Sequence, residues 1–70
     1  MAKIIFDLLE NAQELCELGE FNQAILIYNR ILKKEPNNIS ALIDKGVTLQ
    51  RLEQNESSLE YLKMALSIEP

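Results

Sequence analysis

The stretch GEFNQAILIYNRILKKEPNN, residues 19–38, decides the fold. It opens with Gly19, which suits a left-handed turn at the end of a preceding helix. Apolar side chains then recur at helical spacing, and Pro36 stops the pattern because the residue before a proline avoids helical geometry. The stretch therefore predicts a helix over residues 21–34, with one face formed by Phe21, Ala24, Ile25, Tyr28, Ile31 and Leu32.

The end of this stretch recurs further along the chain. The phrase Leu-x-x-Glu-Pro occurs at residues 32–36 and again at residues 66–70. Residues 5–36 align with residues 39–70 without a gap, at an offset of 34 (39 − 5 = 34). The coinciding pairs include Ile5 with Ile39, Leu8 with Leu42, Ala12 with Gly46, Leu15 with Leu49 and Leu18 with Leu52. A fixed period of this length indicates a helical repeat protein.

The two units predict four helices, over residues 4–18, 21–34, 39–52 and 55–68. Asn38 is placed to cap the third helix, and Asn55 can adopt the left-handed conformation in the second turn. No segment alternates with period two, so no strand is predicted. We expect the helix contacts to bury Leu8, Leu15, Ala24, Ile25, Tyr28, Leu42, Gly46 and Leu49.

Composition narrows the class of protein. The chain has 70 residues, a net charge of −4, one cysteine and no histidine. The negative charge disfavours binding to nucleic acid or to an anionic membrane. No segment is long and apolar enough to span a bilayer, and the N-terminal residues do not form a signal peptide. With a single cysteine, these features predict a cytoplasmic protein.

The repeat resembles the tetratricopeptide family. The first unit matches its pattern at Leu8, Ala12, Leu15, Tyr28, Pro36 and the run from Gly19 to Ala24. The second matches at Leu42, Gly46, Leu49, Leu62, Ala65 and Pro70, but departs from the pattern at Glu53, Asn55 and Ser58. The resemblance implies an all-α fold of two helix-turn-helix tetratricopeptide repeats, with four antiparallel helices forming an α-solenoid segment. It implies a single domain over residues 1–70, with repeat 1 at about 5–38 and repeat 2 at about 39–70.

The resemblance also implies a concave groove lined by the first helix of each unit. Its residues here are Phe6, Leu9, Gln13, Cys16, Ser40, Ile43, Val47 and Gln50. Phe6 and Val47 are difficult to bury within two repeats, so they predict an exposed apolar contact surface. For Leu9 and Ile43 a second interpretation stays open, in which they extend the core.

The charged residues fit two interpretations as well. Asp7, Glu10, Glu14 and Glu17 form an acidic stripe along the first helix, either solvated or docking a basic partner. Some tetratricopeptide domains bind the acidic C-terminal tail of heat-shock chaperones through Lys and Asn side chains. The matching positions here are Leu9, Gln13 and Asp44, which provide no cation. The sequence therefore argues against that ligand.

Catalytic chemistry is not indicated. Cys16 has no histidine to activate it, the carboxylates lie along open helix faces, and zinc-type cysteine pairs are absent from the sequence. We therefore predict a protein that is not an enzyme, with no cofactor or metal, that binds a protein or peptide partner. The alternative is a structural unit that forms a homo-oligomer through its last helix. That surface comprises Leu59, Tyr61, Leu62, Leu66 and Ile68, with Met64 beside them.

Overall fold

A computed structural model, which describes residues 2–68, contains four α-helices. They are α1 (Ala2–Glu17), α2 (Phe21–Lys34), α3 (Ile39–Arg51) and α4 (Asn55–Ile68). No strand occurs within residues 2–68. The predicted all-α fold is confirmed, and the predicted helix bounds are correct to within two residues. Pro70, which was predicted to end the second unit, lies outside the described residues.

The helices pack in chain order. Helix α1 contacts α2, α2 contacts α3, and α3 contacts α4. The chain therefore forms two helical hairpins, α1–α2 and α3–α4, which meet where α2 packs against α3. In this order α2 and α3 each lie between two neighbours, whereas α1 and α4 lie at the ends.

The turn between the hairpins follows the sequence closely. Pro36 lies between α2 and α3, outside both helices. The Asn38 side chain accepts a hydrogen bond from the backbone N–H of Ala41 at 2.9 Å, so it caps α3 as predicted. This cap satisfies one of the N–H groups that lack a partner in the first turn of a helix.

The turn inside the second hairpin corrects one prediction. Glu53, with φ 62°, adopts the left-handed conformation that the sequence had suggested for Asn55. Asn55 is the first residue of α4. The hydrogen bonds that end α3 explain this difference. The Glu53 N–H donates to the Gln50 carbonyl and the Gln54 N–H to the Leu49 carbonyl, and this pattern requires the sharp turn at Glu53.

One cluster of buried apolar side chains joins α1 and α2 to Ala41 on α3. The buried apolar residues among those described are Ile5, Ala12, Ala24, Tyr28, Ile31, Ala41, Leu42, Leu49 and Ala65. Five of the eight residues expected at helix contacts are buried: Ala24, Tyr28, Leu42, Gly46 and Leu49. The prediction was wrong for Leu8, Leu15 and Ile25, which are half-buried. The position of α1 explains two of these, since α1 packs against α2 alone in the main helix contacts while α3 is covered on both sides.

Gly46 lies at a close approach between α3 and α4. A Cβ atom at this position would be 2.9 Å from two carbon atoms of Leu62 and 3.3 Å from the carbonyl oxygen of Ser58. Real Cβ contacts are almost never as short as 2.9 Å, so only glycine fits here unless Leu62 moves. The close helix contact predicted from the alignment of Gly46 with Ala12 is therefore confirmed.

Candidate partner-binding groove

One face of α1 carries a stripe of residues at helical spacing. The stripe comprises Phe6, Leu9, Glu10, Gln13, Cys16 and Glu17. Each of these residues lines a cavity between α1 and α3. Phe6 is 62% exposed, whereas Leu9 is half-buried and packs against the core. Leu9 thus extends the core and also borders the cavity, and its contact with a partner stays a prediction.

The facing stripe on α3 comprises Ser40, Ile43, Asp44, Val47, Thr48 and Arg51. Ile43 is 40% exposed and Val47 is 42% exposed, so a substantial part of each apolar residue is open to solvent. Thr48 and Arg51 were not among the predicted groove residues, and Asp44 was named only as the position that matches a ligand-contacting residue of the chaperone-binding domains. Their spacing of four and three places them on one helix face, and this was the available signal.

Two adjacent cavities lie between these stripes. One, of about 410 Å³, is lined by Phe6, Leu9, Glu10, Gln13, Ser40, Ile43 and Asp44. The other, of about 400 Å³, is lined by Gln13, Cys16, Glu17, Phe21, Tyr28, Asp44, Val47, Thr48 and Arg51. They share Gln13 and Asp44, so together they form one continuous depression, which we call the groove.

Seven of the eight groove residues expected from the sequence line these cavities. The exception is Gln50, which is exposed but borders neither. Successive residues of a helix are about 100° apart around its axis. On this scale Gln50 lies just outside the arc of α3 that lines the cavities, on the side nearer to α4. The two cavities thus lie beside seven of the eight predicted residues, and the binding role of this surface stays a prediction.

A chain of polar contacts joins α1 to α3 beneath the groove. The Thr48 hydroxyl donates to the carbonyl oxygen of Asp44 at 2.7 Å, and its oxygen lies 3.3 Å from Cys16 Sγ. A hydroxyl has one proton, so the Cys16 thiol is the donor in the second contact. The Cys16 thiol has only one proton, which it donates to Thr48. The Tyr28 hydroxyl, 4.0 Å away, is therefore the donor in its contact with Cys16 Sγ. Burial, together with Cys16 and Asp44, raises the pKa of Tyr28, which stays protonated.

The groove is predominantly acidic. Glu10, Glu17 and Asp44 border it, and Arg51 is the cation among the residues that line the two cavities. Burial raises the pKa of Asp44, and an interaction with the Gln13 side chain opposes the shift. A partly desolvated carboxylate favours a cation and disfavours a second carboxylate. The charge of the groove thus agrees with the argument against an acidic chaperone tail.

The predicted self-association residues lie on α4 in two different environments. Leu59, Leu66 and Ile68 are exposed, as is the neighbouring Met64. Tyr61 and Leu62 are half-buried against α3. By helical angle, the exposed apolar residues flank the buried face on both sides, and Glu60, Lys63 and Ser67 lie between the flanks.

Among residues 2–68, no group of three or more His, Cys, Asp or Glu side chains is placed to hold a metal ion. None of the helices within that range combines the length and hydropathy needed to cross a bilayer.

Comparison with known proteins gives one distant relative. The chain is 28% identical over 68 residues, 97% of its length, to the Arabidopsis thaliana protein named Protein CTR9 homolog. It spans only 6% of that protein. No family model matches the chain. No solved structure matches it significantly. The chain is therefore distantly similar to one segment of a much longer protein.

Proposed function

We propose that this chain is a protein-interaction module of the tetratricopeptide type, in which each helical hairpin is one repeat. Its groove between α1 and α3 binds a helix or an extended peptide of a partner protein. The observation that carries the proposal is the joint exposure of Phe6, Ile43 and Val47 along one acidic depression. The distant similarity to Protein CTR9 homolog extends across both hairpins and is compatible with this role.

The dimensions and charge of the groove define the chemistry of the ligand. From Phe6 to Glu17 the α1 stripe is about 17 Å long, which is enough for about three turns of a helix or five extended residues. The apolar residues favour a ligand with apolar side chains at helical or alternating spacing. Glu10, Glu17 and Asp44 favour Lys or Arg beside them.

Selection from a displayed peptide library tests this proposal. The immobilised chain is expected to enrich peptides that combine spaced apolar residues with Lys or Arg. Binding of a selected peptide should be lost in Phe6→Asp/Val47→Asp. The matched control is Leu26→Asp, since Leu26 is 63% exposed on α2 and lies outside the groove.

The same peptides distinguish the electrostatic contribution from the apolar one. Replacing Glu17 with Gln should weaken binding and reduce its dependence on salt, because one charge pair is lost. Enrichment of acidic peptides, or equal loss of binding in the Leu26→Asp control, would contradict the assigned groove.

A second candidate function is self-association through α4. It is favoured by the exposure of Leu59 and Leu66, at 53% and 65%, one heptad apart on the same flank of the helix. Exposed apolar residues along one flank of a helix are typical of a surface that another helix covers. Its test is the oligomeric state of the chain, which is taken up in the Discussion.

A further inference from the structure

Lys45 is a buried lysine on the side of α3 that faces away from the groove. It is only 9% exposed and shares a helix face with the buried Leu42 and Leu49. Residues two apart on a helix differ by about 160°, so Lys45 lies nearly opposite both Ile43 and Val47. The groove therefore does not account for it.

The partners of Lys45 are neutral. Its ammonium group donates to Asn29 Oδ1 on α2 and, at 2.7 Å, to the Tyr61 hydroxyl on α4. Its nitrogen also lies 4.1 Å from the centroid of the Tyr61 ring, a favourable position for a cation. Buried charges in proteins are usually paired with an opposite charge. For Lys45 the Asn29 side-chain carbonyl, the Tyr61 hydroxyl and the Tyr61 ring stand in place of an opposite charge.

A count of hydrogen atoms shows unused donors at this position. An ammonium group has three N–H donors, of which Asn29 and Tyr61 accept two. Because the Tyr61 oxygen accepts from Lys45, its own O–H is free to donate elsewhere. Asn29 likewise accepts through Oδ1 and keeps its two N–H donors. Within residues 2–68 these remaining donors have no protein acceptor, so they are available to solvent or to a ligand.

These three residues line a cavity of about 300 Å³ between α2, α3 and α4. Its other lining residues are Leu32, Lys33, Pro36, Leu42 and Met64. The residues described around this cavity include two lysines and no carboxylate. Its polar side thus offers donors and positive charge, and the remaining residues offer an apolar wall.

We propose that this cavity is a second binding site, which receives the carboxylate of an Asp or Glu side chain from a partner protein. A carboxylate has two oxygens that accept several hydrogen bonds, and it supplies the negative charge that Lys45 lacks. The apolar wall covers the methylene groups of the acidic residue and an apolar neighbour in the partner. This site lies on the opposite side of α3 from the groove and has the opposite charge preference.

The proposal is tested with a blocked glutamate, N-acetyl-glutamate N-methylamide, titrated into the 70-residue chain and followed by NMR of the backbone amides. Saturable shifts are expected at Asn29, Lys45 and Tyr61 and not at groove residues such as Val47. Blocked glutamine has the same shape without the charge and should bind at least about tenfold more weakly. Inorganic phosphate is expected to bind less well, since it leaves the apolar wall uncovered.

Three variants complete the experiment. Lys45→Met keeps the length and packing of the side chain, and it should weaken glutamate binding at least about tenfold. Tyr61→Phe keeps the ring and removes the hydroxyl, and it should also weaken binding, which provides a second test if Lys45→Met does not fold. The control is Lys63→Met, which removes an exposed lysine from α4 and should bind as the parent chain does.

Three results would overturn the proposal. They are equal binding of blocked glutamine, unchanged binding in folded Lys45→Met, and phosphate binding tighter than glutamate. None of them affects the groove, whose ligand is read out at Phe6, Ile43 and Val47.

Discussion

Glu53 occupies in the second turn the position that Gly19 occupies in the first, and both have positive φ angles, 62° and 81°. The residues that follow them make the same hydrogen bond. Glu20 N–H donates to the Leu15 carbonyl at 2.8 Å, and Gln54 N–H donates to the Leu49 carbonyl at 2.9 Å. The two hairpins therefore share one turn geometry, although only the first has the glycine that favours it.

This relationship predicts that Glu53→Gly stabilises the chain. A non-glycine residue in the left-handed region costs about 1–2 kcal/mol, and the extra freedom of glycine in the unfolded chain offsets part of the gain. We expect a net gain of roughly 0.5–1 kcal/mol, or a rise of several degrees in Tm. Thermal unfolding followed by circular dichroism measures it.

Two controls separate backbone strain from charge. Glu53→Ala removes the same charge but keeps a Cβ atom, so it should not reproduce the gain. Gly19→Ala should cost about 1 kcal/mol from backbone strain alone, because no atom lies within 4 Å of the added Cβ. Equal stabilisation by Glu53→Ala and Glu53→Gly would contradict the role of the φ angle.

The close approach at Gly46 gives a second prediction. Gly46→Leu should destabilise the chain by about 1–3 kcal/mol, because Leu62 already fills the space beside it. A double-mutant cycle measured by urea unfolding identifies the contact. In a Leu62→Ala background, Gly46→Ala should stabilise α3 by about 1 kcal/mol through helix propensity, and in the parent background the contact should remove that gain. The same effect in both backgrounds would place the contact elsewhere.

Asp44 gives a prediction for pH. Burial raises its pKa above the ordinary value of 3.8, so its ionised form is less favourable in the folded chain than in the unfolded chain. As pH rises through 3.8, the unfolded state loses its proton first, and stability falls until the folded group also ionises. Asp44→Asn should therefore be more stable than the parent chain at pH 7, and the difference should shrink below about pH 4. Urea unfolding at both pH values measures this difference, and a constant difference would contradict it.

The exposed flank of α4 predicts that the chain associates. Light scattering over a concentration series should give a mass above that of one chain, because covering Leu59 and Leu66 removes apolar surface from water. Leu66→Glu should restore the monomer, and Leu26→Glu on α2 is the matched control. Leu62 is a poor choice for this test because it packs against Gly46. A folded monomer at high concentration, unchanged by Leu66→Glu, would exclude this function for α4.

The sequence predicts well those features that depend on spacing along one helix. The offset of 34 aligned Ala12 with Gly46 and located the close contact, and the proline and asparagine at 36 and 38 located the middle turn. Both depend on the helical period and on local backbone preferences, which a single chain segment determines. The assignment of Phe6, Leu9 and Gln13 to a groove came from the resemblance to the tetratricopeptide family, and their binding role stays a prediction.

The features that were not predicted depend on neighbouring helices. Leu8 and Leu42 are equivalent in the alignment, but Leu42 is buried because α3 has a helix on each side, whereas Leu8 is half-buried on the first helix. Lys45 lies on the same face as Leu42 and Leu49, so its spacing signalled burial. Its partners come from two other helices, and the spacing of one helix cannot identify them.

The contacts of Lys45 also determine whether the two hairpins are interchangeable. The position equivalent to Lys45 in the first hairpin is Asn11, and the position equivalent to Tyr61 is Ile27. A tandem array built from copies of the first hairpin would therefore lack, at every junction, the cation that bonds Asn29, and within every hairpin the ring that contacts this cation. Reversing the order of the hairpins would separate Asn29 from Lys45 as well. The two units thus have similar backbones, but the contact between Asn29 and Lys45 forms only when the hairpins follow in this order.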